Sequence, residues 1–117
     1  MSTIIYHNPN CTTSRNVLAL LQERGLKPQI IEYLKTPPSR ARLSELLAQM
    51  GKKPRDILRK NGTPYAELGL DDPSLSDEKI FDAIEAHPIL IERPIVVTPE
   101  GVRLCRPKEI LFELIGE

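Results

Sequence analysis

The sequence contains no tryptophan, and aromatic residues make up only 4% of it. Its core must therefore be assembled mostly from Leu, Ile, Val and Ala. There are two cysteines, Cys11 and Cys105, and two histidines. Two cysteines can pair only once, which excludes a disulfide-stapled scaffold. No grouping of Cys and His has metal-ligand spacing, so no metal site is expected. Net charge is also missing: 16 basic residues balance 16 acidic ones. Bulk charge is thus excluded as a route to nucleic acid or a membrane surface, and neither partner is expected. Apolar runs such as Pro88-Ile89-Leu90-Ile91 and Ile95-Val96-Val97 are far too short to span a bilayer. No basic leader with a long apolar stretch opens the chain. A cytoplasmic location follows as the expectation, with both cysteines as thiols. Gly-rich phosphate and dinucleotide loops are absent, so no bound cofactor is expected.

What is present is one domain's worth of chain. Its 117 residues, 40% of them hydrophobic, are enough to bury a core. The chain is organised around Tyr6-His7-Asn8-Pro9-Asn10-Cys11-Thr12-Thr13-Ser14-Arg15-Asn16. Residues Thr3–His7 are β-branched and apolar enough for a short buried strand. A helix from Thr12 to about Arg24 follows, closed by Gly25 as a left-handed cap. Pro28 to Tyr33 reads as a second strand, giving a β-α-β unit with parallel strands.

Thr36-Pro37-Pro38-Ser39 breaks this pattern. Leu43, Leu46, Leu47 and Met50 then recur at helical spacing, and Gly51 ends that helix. Pro54 opens a shorter helical turn. Ser74-Leu75-Ser76-Asp77 signals another helix, which His87-Pro88 stops. The end returns to strands: Ile95–Thr98, a turn, then Val102–Cys105, with a final helix from Pro107. The order β-α-β, helical insert, β-β-α is that of a thioredoxin-like α/β fold. A four-stranded mixed sheet flanked by helices is expected, as one domain over residues 1–117 with a helical insertion at about 36–87.

Cys11 falls at the strand-to-helix turn. Helix-start N–H groups and the helix dipole favour a thiolate there. A free cysteine is also often just a small buried hydrophobe. The polar neighbours Asn8, Asn10, Thr12, Thr13 and Ser14 favour the reactive reading. Cys11-Thr12-Thr13-Ser14 is C-x-x-S, so the motif holds no second thiol. The position six after Cys11 is Val17, which excludes the C-x5-R loop of a cysteine phosphatase. Ser14 and Thr12 could hydrogen-bond the thiolate or an oxyanion, or serve only as helix caps.

His7, at the end of the first strand, could raise the thiolate fraction by electrostatic pairing, or be a solvated strand-end histidine. Arg59 closes a helical turn, Arg93 precedes the candidate cis-proline Pro94, and Arg106 precedes Pro107. Taken singly, each is most simply a surface charge. In a thioredoxin-like layout the segment before that proline faces the helix-start cysteine, so Arg93 is the best placed to bind an oxyanion. Cys105 is expected half-buried beside Arg103 on one strand face and inert, although a disulfide with Cys11 is an alternative.

The opening motif resembles the start of the glutaredoxin-coupled arsenate reductase family. The likeness continues at Tyr33-Leu34-Lys35-Thr36-Pro37-Pro38, Leu58-Arg59-Lys60-Asn61 and Pro64-Tyr65-Ala66-Glu67-Leu68-Gly69-Leu70. It extends from His87 through Arg93-Pro94 to Pro99, and closes at Arg103-Leu104-Cys105-Arg106-Pro107. Thr12 stands where the best-known plasmid-borne members often carry Gly. The resemblance implies an arsenate reductase with Cys11 as nucleophile, assisted by His7. It implies arsenate bound by Arg59, Arg93 and Arg106, with glutathione as co-substrate and glutaredoxin as partner. Two other functions remain open at this level. One is a regulator of the Spx type, although such proteins commonly carry the C-x-x-C that this chain lacks. The other is a monothiol reductase of glutathione mixed disulfides.

Overall fold

The computed structural model describes residues 2–117. Two compact units are formed, one from residues up to Thr36 together with Arg93–Glu117, the other from Pro37–Glu92.

The first unit holds the sheet. Strand β1 (Ile4–His7) lies between β2 (Gln29–Glu32) and β3 (Ile95–Thr98), and β4 (Gly101–Leu104) pairs with β3, so the order is β2-β1-β3-β4. β1 and β2 run parallel, with Ile5 opposite Ile30. A parallel pair needs a crossover, and helix α1 (Thr12–Glu23) supplies it. The other two pairings are antiparallel, with Val96 opposite both Ile5 and Arg103. Pro99 and Glu100 form the turn between β3 and β4, and Gly101 takes a φ of 144° that a side chain would strain.

Helix α1 buries Ser14, Val17 and Leu21, which share one face at i, i+3 and i+7. Val17 and Leu21 join Ile5, Val96, Cys105, Leu111 and Leu114 in the core. The last two come from the chain's end, where a 3-10 turn (Lys108–Leu111) leads into a short helix, Phe112–Ile115. The element order and mixed sheet are those of the expected thioredoxin-like fold.

The second unit is helical. Helix α2 (Arg40–Met50) is capped by Ser39, whose hydroxyl accepts from the Arg42 N–H at 3.1 Å, and ends at Gly51 with φ 69°. Helix α3 (Asp77–Ala86) is capped in the same way by Ser76. It packs on two 3-10 turns, Pro54–Ile57 and Pro88–Leu90. Arg40 on α2 ties down α3 through Glu78, Asp82 and Glu85, with its guanidinium over the Phe81 ring.

Cys105 departs from the half-buried expectation and is fully buried. β4 ends at Leu104, so the alternation of faces does not carry on to Cys105, which turns into the core instead. Among the described residues no helix is long and apolar enough to cross a membrane.

Candidate active site

Cys11 stands at the N-cap of α1 with an extended backbone, φ −104° and ψ 122°. Its N–H donates to the Asn8 carbonyl at 3.0 Å, and its own carbonyl accepts from the Arg15 N–H at 3.0 Å. The residue is buried. Burial pushes the thiol up, but three groups outweigh it and hold the thiol below its ordinary value: the Ser14 N–H, Arg93 and Arg106. The Ser14 N–H lies outside regular capping geometry, yet its dipole still favours a thiolate. Arg106 Nη1 is 3.6 Å from the sulfur, and the same nitrogen donates to the Arg93 carbonyl at 3.2 Å.

Arg93 is buried. Its positive charge favours the thiolate, while Nε and Nη1 have no hydrogen-bond acceptor among the described residues. Buried donors without partners are costly and rare in native proteins. A guanidinium offering two of them beside a lowered thiol is suited to an anion that accepts through two oxygens. Both arginines precede a cis peptide bond, Arg93-Pro94 and Arg106-Pro107. The carbonyl of Pro94 accepts from the Cys105 N–H at 2.9 Å, which joins the segment carrying Arg93 to the end of β4.

His7 is buried, and its Nδ1 lies 2.6 Å from Ser14 Oγ. Ser14 is fully buried, and its hydroxyl already accepts from the Asn8 N–H at 3.1 Å. The hydroxyl proton and second lone pair both remain for His7 Nδ1, so the direction of that bond follows the His7 tautomer. Burial of the ring favours its neutral form. Its lowered pKa agrees: burial is the main cause, with Arg15 acting in the same direction and Glu32 opposing. His7 therefore reaches the surroundings of the sulfur through Ser14.

Arg59 lies in the helical unit. There Nη1 pairs with Glu92 at 2.9 Å and Nε donates to the Asn61 carbonyl at 3.1 Å. Cys105 is a free thiol like Cys11, but burial pushes it up to about 12, so it stays protonated. Among the described residues no group of three or more His, Cys, Asp or Glu could hold a metal ion.

Two residues around the sulfur were not singled out from the sequence. Asn8 is only 2% exposed, and its Oδ1 accepts from the Asn10 N–H at 2.9 Å. Arg15 spans the turn from outside, donating to the Pro9 carbonyl at 2.8 Å and to Thr12 Oγ1 at 3.2 Å. The run Asn8-Pro9-Asn10 does signal a turn, and an Asn that opens a turn often bonds the backbone two residues on.

The sequence and the architecture have counterparts among known proteins. The arsenate reductase of Rhizobium meliloti (strain 1021) is 54% identical over 117 residues, covering 100% of this chain and 84% of the relative. That of Escherichia coli (strain K12) is 53% identical over 118 residues, with the same coverage. A solved structure of an arsenate reductase from Vibrio cholerae matches with a TM-score of 0.90 at 47% identity, covering 97% of each chain. The ArsC family model matches residues 6–113. With a family match over most of its length and relatives this similar, the chain belongs to the ArsC family.

Proposed function

We propose that this protein reduces arsenate to arsenite through Cys11, with glutathione as co-substrate and glutaredoxin as partner. The observation that carries the proposal is the cationic cluster at the sulfur. Arg106 Nη1 is 3.6 Å from Sγ, and the buried Arg93 beside it has two donor nitrogens without an acceptor among the described residues. Four relatives among those most similar are named arsenate reductase, and arsenate is an oxyanion of the kind such a cluster would hold.

In this mechanism Arg93 and Arg106 bind arsenate oxygens through paired N–H groups. Arg59 is included on the sequence resemblance alone. The Cys11 thiolate attacks arsenic: an S–As bond forms, an As–O bond breaks, and the oxygen leaves as water after protonation. C-x-x-S holds no second thiol, and Cys105 is buried and protonated. External thiols must therefore complete the cycle. Two thiols of glutathione and glutaredoxin are oxidised to one disulfide while arsenic(V) becomes arsenic(III), and water then cleaves the S–As bond, releasing arsenite and restoring the Cys11 thiol. Ser14 contributes through its N–H at the sulfur, and its hydroxyl orients neutral His7. The whole chain works as one domain, with the helical unit as its insertion, in the cytoplasm.

The test is arsenate turnover with glutathione and glutaredoxin supplied, for wild type and Cys11→Ser. Turnover that survives the serine substitution would remove Cys11 as the nucleophile. No turnover by wild type, together with recovery of RNA polymerase in a pull-down, would replace the proposal with the regulator reading.

A further inference from the structure

A cysteine at an N-cap is a weak substitute for the oxygen side chains that usually hold a helix start. Here the position has a purpose, because the Ser14 N–H acts on the sulfur instead of being taken up by a capping oxygen. The turn must then be held in shape by something else. Asn8 is placed to do that, and no step of the proposed chemistry uses it.

Three polar groups of Asn8 are engaged, each with a different part of the turn. Its N–H donates to Ser14 Oγ at 3.1 Å, which reaches into α1. Its carbonyl accepts from the Cys11 N–H at 3.0 Å, which fixes the backbone of the N-cap residue. Its side-chain Oδ1 accepts from the Asn10 N–H at 2.9 Å, closing a side-chain turn over Pro9. The residue is 2% exposed, so these bonds are shielded from competition with water. The two backbone bonds depend on the direction in which the chain leaves β1. Only the Oδ1 bond fixes that direction by side-chain identity.

We infer that Asn8 is a positioning residue for the Cys11 sulfur: it braces the turn so that the Ser14 N–H, Arg93 and Arg106 meet at Sγ. The inference rests on the reading of Cys11 as the reactive thiol. Without the Oδ1 acceptor, Asn10 and Pro9 are free to take other turn geometries, and Cys11 moves with them. The sulfur then loses alignment with donors that keep their own places. The thiol rises towards its ordinary value, and the turnover number falls more than substrate affinity, because Arg93 and Arg106 still bind the anion.

Asn8→Ala and Asn8→Ser test this, since a serine hydroxyl can close a similar turn more weakly. The readouts are the thiolate absorbance of Cys11 against pH, kcat and KM for arsenate, and Tm. For Asn8→Ala a raised thiol pKa and a loss of about tenfold in kcat/KM, carried mainly by kcat, are expected from one missing buried hydrogen bond. Asn8→Ser should recover most of both. A folded Asn8→Ala protein with a lower Tm but an unchanged thiol pKa and unchanged kinetics would overturn the inference, leaving Asn8 a merely structural residue. If the alanine variant does not fold, Asn8→Gln carries the test. Its longer side chain cannot close the turn, so it should share the raised thiol pKa, and a wild-type titration from it would overturn the inference equally. The thiol titration needs no substrate. Absence of arsenate turnover in wild type would therefore overturn the functional reading while leaving the titration to decide the role of Asn8.

Discussion

Arg106 Nη1 lies 3.6 Å from the Cys11 sulfur, although the two residues are 95 positions apart in sequence. The same nitrogen is bonded to the Arg93 carbonyl at 3.2 Å. One guanidinium thus contacts the proposed nucleophile and the backbone of a second arginine, whose charge also favours the thiolate. Burial opposes ionisation of Cys11, and this pair of arginines, with the Ser14 N–H, reverses the outcome.

Removing Arg106 should therefore affect the sulfur before it affects substrate. Arg106→Ala is expected to raise the Cys11 thiol pKa and lower kcat/KM for arsenate on the order of a hundredfold, the usual scale for losing one charge-stabilising donor. Arg106→Lys keeps the charge but loses the planar fork, so it should restore the thiol pKa better than kcat/KM. Thiolate titration alongside steady-state kinetics checks both. Equal recovery of the two by lysine would mean that only the charge matters.

How much of this was legible follows from which bonds are local. Helix α1 could be placed because Val17 and Leu21 mark its buried face and Gly25 its end. The thioredoxin-like order followed from the β-α-β start and the hairpin near the end. The meeting of Arg106 with Cys11 has no local signature, since a separation of 95 residues is set by sheet order and not by spacing. Asn8 was visible only as a polar neighbour of Cys11, because its hydrogen bonds depend on how the chain leaves β1. The depth of Cys105 was misjudged because period-two alternation was extended one residue past the end of β4.

Cys105 should be silent. It is fully buried in the core and its thiol is pushed up to about 12. A disulfide-exchange reagent should titrate one thiol quickly in the folded protein and both after denaturation. Cys105→Ala should keep kcat/KM within about twofold and lose about 1 kcal/mol of stability, as is common for a small core change. A large loss of turnover without loss of stability would make Cys105 a participant in the thiol cycle.

Acid should act on the fold through His7. Its pKa lies below the ordinary value of 6.5, chiefly because burial disfavours the charged ring. The unfolded chain takes up this proton at about the ordinary value, and the folded chain only at lower pH. The stability tied to neutral His7 is thus complete above pH 6.5 and is lost as pH falls from there through the folded pKa. His7→Gln, which removes the titration, should flatten the dependence of Tm on pH in that window. An equally steep dependence in the glutamine variant would place the acid sensitivity elsewhere.

The central claim is that Cys11 is a thiolate held by arginines that also receive an oxyanion. It is tested most directly by the thiolate absorbance of wild type minus Cys11→Ser, followed against pH with and without sulfate, a tetrahedral oxyanion that thiols do not reduce. A midpoint below the ordinary thiol value near 9 is expected, moving upward when sulfate draws on Arg93 and Arg106. A midpoint at the ordinary value, unmoved by sulfate, would contradict it.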